Sequence, residues 1–237
     1  MLSRIDNIAD AATSPSETYA EYTYLGAGTI VTVDHPAVAS GGGLTLDYTN
    51  PGGTGANSYD GFDRFGRVQH QKWTNAAGTA TLDEFTYSHD RAGNRTYREN
   101  AHASASGKDE LYSHDDLHRL AGFERGDLNA GKDAIATLKF EHDWTLSSLN
   151  NWRSFNEDDD GDSTFDLVQT REHNEANEIT GITGGSWVEP DHDAAGNMTL
   201  APRPGDEADA NDALVLVYDA WNRLAKVYDD DDADGEA

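Results

Sequence analysis

Seven copies of one short pattern constrain what this chain can fold into. The clear copies are Phe62-Asp63-Arg64-Phe65-Gly66-Arg67-Val68, His89-Asp90-Arg91-Ala92-Gly93-Asn94-Arg95, His114-Asp115-Asp116-Leu117-His118-Arg119-Leu120, His192-Asp193-Ala194-Ala195-Gly196-Asn197-Met198 and Tyr218-Asp219-Ala220-Trp221-Asn222-Arg223-Leu224. Weaker copies are Leu146-Ser147-Ser148-Leu149-Asn150-Asn151-Trp152 and His173-Asn174-Glu175-Ala176-Asn177-Glu178-Ile179. Their second residues are spaced by 27, 25, 32, 27, 19 and 26 residues. Self-similarity at such a period marks a repeat architecture.

The residue types predict turns. The second position is Asp, Asn or Ser, whose side chains accept hydrogen bonds from backbone two or three residues on and so nucleate a reversal. The fifth is Gly, Asn or His, the types that best tolerate a positive φ. The expected turn residues are therefore Asp63 and Gly66, Asp90 and Gly93, Asp115 and His118, Asn174 and Asn177, Asp193 and Gly196, and Asp219 and Asn222. The weaker pair Ser147 and Asn150 completes the series. The first and seventh positions are mostly apolar or aromatic, so each copy reads as a hairpin tip with a buried residue on either side.

The flanks agree with hairpins. Alternating stretches such as 81–87, 136–142 and 214–218 precede the turns, and 68–73, 120–123 and 224–228 follow them. Alternation of this kind marks half-buried strands. Residues 1–58 read as further strands without a motif copy, with a hairpin closed by Gly26-Ala27-Gly28. Residues 59–228 are the repeat sheet, and 229–237 an acidic tail. Only Leu2 to Ala12 reads as a short helix. The expected fold class is all-β: tandem antiparallel hairpins in one curved sheet, since a lone hairpin is marginal in water.

On these residues the sequence resembles the RHS/YD-repeat family, named for the dipeptide seen here as Tyr218-Asp219. The sixth position, with its mix of Arg and Asn, matches the family's forms. The resemblance covers about residues 59–228. It implies a strip of hairpins spiralling into a hollow shell, in proteins that encase a C-terminal toxin or act at the cell surface. It further implies that the partners are more YD repeats or a C-terminal effector domain in a secreted or displayed parent. Seven copies are expected to form shell wall rather than a closed cavity, and no effector domain or self-cleaving aspartate motif is read in the chain.

Charge excludes some functions. There are 44 acidic residues against 17 basic ones, for a net charge of -27. Nucleic acids and anionic membranes both require clustered Lys and Arg, so neither is expected as a partner. No apolar run approaches membrane-spanning length, and residues 1–12 lack the pattern of a signal peptide. There is no cysteine, hence no disulfide or thiolate metal site.

Calcium is the one chemical candidate. Asn156, Asp158, Asp160, Asp162, Thr164 and Asp166 place oxygen at alternate positions, with Gly161 sixth, as at the start of an EF-hand-type loop. Position twelve is Leu167 where a bidentate Glu is required, and the competing reading is a solvated acidic loop. A second run, Asp230 to Gly235, repeats the spacing and stops. Histidines at the first position (His89, His114, His173 and His192) read as turn anchors rather than zinc ligands. The 5 Trp, 10 Tyr and 7 Phe suit cross-strand packing, with a glycan- or protein-binding face as the alternative. No nucleophile elbow or phosphate loop is present, so no catalysis is expected.

Overall fold

The computed structural model describes residues 5–10, 17–36, 43–49, 61–75, 77–102 and 106–229. Among these the protein is all-β, with one 3-10 turn at Ala210–Asp212. The strands are β1 (Asn7–Asp10), β2 (Glu17–Leu25), β3 (Thr29–His35), β4 (Leu44–Asp47), β5 (His70–Asn75), β6 (Thr81–His89), β7 (Arg95–Asn100), β8 (Asp109–His114) and β9 (Leu120–Leu128). They continue as β10 (Ile135–Leu146), β11 (Trp152–Asp158), β12 (Leu167–His173), β13 (Ile179–Thr183), β14 (Asp191–His192), β15 (Met198–Ala201), β16 (Leu214–Tyr218) and β17 (Leu224–Asp229). Strands β1 to β13 form one sheet and β14 to β17 another, each in strict chain order and neither closed into a barrel. Sequential order follows from the short turns, because an antiparallel neighbour is the partner reached at least loop-closure cost.

The chain divides into two compact units, residues 1–112 with 125–137, and 113–124 with 138–237. Each has a thin apolar interior. In the first, Ala20 and Val31 are buried, as are the polar residues His70 and Glu110. Glu110 is held by Arg98 at 2.5 Å, by Arg125 at 3.1 Å and by the Tyr112 hydroxyl. His70 meets Glu84 at 2.7 Å. A carboxylate out of water needs such partners, since an unpaired buried charge is far costlier than a paired one. In the second unit Ala213 and Val215 are buried, as are Asp158 and Gln169. Here an aromatic row runs along the sheet: Phe123, Phe140, His142, Trp144 and Phe155, with neighbouring ring centroids 4.2–6.4 Å apart.

Three sequence expectations are amended. The helix expected over Leu2 to Ala12 is not formed where it is described: Asn7–Asp10 is strand β1, paired with β2. A short helix bears a nucleation cost that β2's exposed edge spares it. The seventh turn residue is not uniformly buried, for Arg95, Leu120, Trp152 and Leu224 are exposed while all seven first residues are half-buried. The buried set also mixes polar with apolar side chains, where alternation implied an apolar buried face.

Candidate functional site

All seven copies build the same turn. The second residue's N–H donates to the sixth carbonyl, and the fifth N–H donates back to the second carbonyl. The bonds measure 2.8–3.3 Å, from Asp63–Arg67 to Asp219–Arg223. The fifth residue has positive φ in every copy: Gly66 78°, Gly93 99°, His118 63°, Asn150 68°, Asn177 67°, Gly196 83° and Asn222 58°. One side-chain oxygen of the second residue caps the loop. Asp115 Oδ1, for example, accepts from Leu117 N and Arg119 N, both at 2.9 Å. Ser147 does the same with one hydroxyl oxygen, at 3.2 and 3.1 Å.

A second rule links positions two and six. Asp63, Asp115 and Asp219 accept from Arg67, Arg119 and Arg223. Asp90 and Asp193 accept from Asn94 and Asn197. Where the sixth residue is the acceptor Glu178, the second is the donor Asn174, and the amide donates to the carboxylate at 2.5 Å. The pair keeps its complementarity when its polarity reverses. These bonds hold the turn carboxylates below their ordinary range. For Asp115, Asp193 and Asp219 the sixth-position side chain is the largest cause. For Asp63 and Asp90 burial pushes upward and the combined hydrogen bonds outweigh it.

Turns are also tied to their successors. Arg67 Nη1 donates to the Asp90 carbonyl at 3.1 Å. Arg119 Nη1 reaches the Ser147 carbonyl at 2.6 Å and Asn150 Oδ1 at 2.8 Å. Asn151 donates to Asn177 at 2.9 Å, and Asn197 to Asn222 at 3.1 Å. In these four copies the sixth residue closes its own turn and grips the next one.

Six of the seven turns stand on a bulge. The first and seventh residues pair directly, as in His89–Arg95, Leu146–Trp152, His173–Ile179, His192–Met198 and Tyr218–Leu224, and the register then slips by one. The unpaired residue is the eighth: Thr96, Arg153, Thr180, Thr199 or Ala225. In the first copy Gln69 N and His70 N both donate to Gly61 O, the same device. At the tips the fourth residue is apolar and projects into solvent, with Phe65 65%, Leu117 64%, Leu149 65% and Trp221 75% exposed.

The acidic loop lies between β11 and β12. Of its six candidate ligands, Asp158, Asp160 and Asp166 bring carboxylate oxygens within 4.8 Å of one another. Asn156 is in β11, paired with Asp143 and Val168. Asp162 falls outside the cluster and accepts from Thr164 N at 2.7 Å. Asp158 is fully buried, and its two oxygens accept from Gly161 N at 2.6 Å and Ser163 N at 2.7 Å. It organises the loop through these bonds. Asp159 is pushed up from the usual carboxylate range, chiefly by the charge of Asp166. A second cluster, Asp206, Asp209 and Asp212, was not anticipated from the sequence; its residues are three apart, a spacing that brings side chains together only in a helical turn. The Asp230–Gly235 run lies outside the described residues. All four first-position histidines are half-buried beside their turns and belong to no cluster of metal-ligand type among the described residues.

No family model matches the chain, and no curated protein does. Solved structures to which the chain is similar include the following two. One is the Photorhabdus luminescens Tc holotoxin pore carrying a mutated TccC3, at TM-score 0.48 and 13% identity, covering 90% of this chain and 11% of that one. The other is the complex of TcdB2, TccC3 and Cdc42, at TM-score 0.47 and 13% identity, covering 88% and 11%. The chain thus spans about a ninth of the length of each. Among the described residues no helix is long and apolar enough to cross a membrane.

Proposed function

We propose that this chain is a non-catalytic structural repeat module, a length of wall from a shell or cell-surface scaffold of the RHS/YD-repeat kind. The observation that carries the reading is the ladder of seven identical turns, four of them hydrogen-bonded to the next. Such a ladder fixes each hairpin against its neighbour, so each repeat depends on contacts with adjacent repeats. The strong negative charge keeps a broad sheet soluble and discourages edge-to-edge association. On this reading the partners are further YD repeats or an effector domain of a secreted or surface-displayed parent, and the role is encapsulation or cell contact.

One observation favours a second reading, a glycan- or protein-binding module stabilised by calcium. The aromatic row of the second unit extends to Trp152, which is exposed and lies under the Arg171 guanidinium at 5.0 Å. A glycan array separates the two, run with calcium and again with chelator. The scaffold reading expects no signal on the array, and a protease-resistant assembly on co-expression with the polypeptide encoded beside it. Array binding without assembly would transfer the function to the aromatic face.

A further inference from the structure

Two open notches between successive turns concentrate positive charge on a protein whose net charge is -27. In the first unit, the notch between the Asp63 and Asp90 turns measures about 620 Å³ and is lined by Arg64, Phe65, Arg67, His89 and Arg91. In the second unit, the notch between the Ser147 and Asn174 turns measures about 630 Å³ and is lined by Arg153, Arg171, Glu172 and His173. The two are built alike. Each places the first-position histidine of the later turn beside guanidinium groups. His89 is held below its ordinary value by burial and then by Arg67 and Arg95, against Asp63 and Asp90. His173 is lowered by burial and then by Arg171 and Arg153.

The cations have valence to offer. Among the described residues Arg64, Arg91 and Arg153 have no carboxylate within 4.0 Å. Arg64 stands 4.8 Å over the Phe65 ring and Arg67 5.2 Å, which pre-orients two planar donors around one apolar surface. In the first notch the facing carboxylates are already engaged, Asp63 by Arg67 and Asp90 by Asn94 and turn N–H groups, and Glu172 is the one carboxylate lining the second. A third notch, between the last two turns, is lined by Asp193, Asn197, Tyr218 and Asp219 and carries no Arg or Lys.

We propose that the two basic notches are carboxylate-binding subsites that take an acidic peptide segment of a partner chain. Guanidinium forks match carboxylates in geometry as well as charge. A peptide loop with two or three carboxylates places its charge only within a notch. A continuous polyanion such as nucleic acid would extend over the acidic surface around it and be repelled. This site stands apart from the scaffold reading and survives its failure.

The test titrates the full chain with a blocked glutamate hexapeptide, by calorimetry and by NMR of the histidine ring resonances. Both His89 and His173 should respond, and binding should weaken as salt rises. Arg64→Ala with Arg91→Ala should abolish the His89 response and leave that of His173; Arg153→Ala should do the converse. Each should weaken its own site at least about tenfold, the weight of one charge-assisted hydrogen bond. These residues are exposed and make none of the turn-closing hydrogen bonds, so circular dichroism should be unchanged. Silence of both histidines at millimolar peptide, an equal response to a glutamine hexapeptide, or tighter binding of an oligothymidine would each overturn the proposal.

Discussion

Valine at Gly66 probes chiefly the energetic cost of the turn backbone. Gly66 has φ 78°, and a Cβ built there meets no atom within 4 Å. At Gly93, with φ 99°, the nearest atom is Arg67 Nη1 at 3.5 Å, ordinary contact distance. A Cβ therefore clashes with nothing at either site, and the left-handed conformation is the principal cost. For a β-branched residue it is about 1–2 kcal/mol. In a unit of this size that is a fall in melting temperature of roughly 2–8 °C. Asparagine already occupies the same position at Asn150, Asn177 and Asn222 with φ of 58–68°, so Gly66→Asn should cost far less than Gly66→Val. Urea titration of both variants, with the midpoint shifting at constant m-value, is the measurement. Equal midpoints for wild type and both valine variants, or equal losses for Val and Asn, would refute the reasoning. Arg64→Ala, at an exposed third position, is the control and should leave the midpoint in place.

The pairing of positions two and six predicts that Asn174→Asp sets two carboxylates together and costs about 1 kcal/mol, and that adding Glu178→Asn restores it; a double-mutant cycle reads the coupling. Acid should weaken the turns selectively. Their carboxylates titrate below the unfolded value, so they stabilise the fold above about pH 4 and lose that contribution as pH falls through the folded values. The melting difference between wild type and Asp115→Asn should therefore shrink from pH 6 toward pH 3. Glu124 and Glu141, raised chiefly by burial, act oppositely in wild type and variant alike and cancel in that comparison. Asp158→Ala should cost about 2–3 kcal/mol by orphaning two loop N–H groups, equally in chelator and in calcium; a loss seen only in calcium would make Asp158 a metal ligand first. In Gly93→Val, hydrogen exchange should quicken in β6 and β7 and stay unchanged in β16 and β17; uniform acceleration would show global rather than local coupling.

The turns were legible because their chemistry is local. A side chain that caps backbone two to four residues ahead leaves its mark in one short window, and Asp63 with Gly66 is readable without any knowledge of the sheet. The sixth residue was equally visible, yet its role was hidden in a pair. Arg, Asn and Glu share no property until set against position two, where Asn174 facing Glu178 shows the rule. The bulge was not legible, because Gln69, Thr96, Arg153, Thr180, Thr199 and Ala225 have no chemistry in common. Closure of the turn imposes the extra residue, and any side chain will serve. The burial of Glu110 depends on Arg98 and Arg125, 12 and 15 positions away on other strands, and strand register alone brings them together. In the acidic loop, Asp158, Asp160 and Asp166 converge, whereas Asn156 is fixed within the ladder because β11 extends to Asp158.

The bulge changes what alternation means in this protein. A slip of one residue moves every later side chain to the opposite face, so a polar–apolar rhythm read through a turn reverses on the far side. On the edge strand β17 the apolar Leu224 and Val227 are 52% and 50% exposed, while polar Gln169 and Glu110 are buried. With its faces thus mixed, hydrocarbon burial alone does not select the register. The paired ions and the capped turns must do so, since both require one definite partner. Specificity in this sheet resides in its hydrogen-bonded rungs, and that is why positions two, five and six keep compatible chemistry through seven divergent copies while the strand residues between them vary freely.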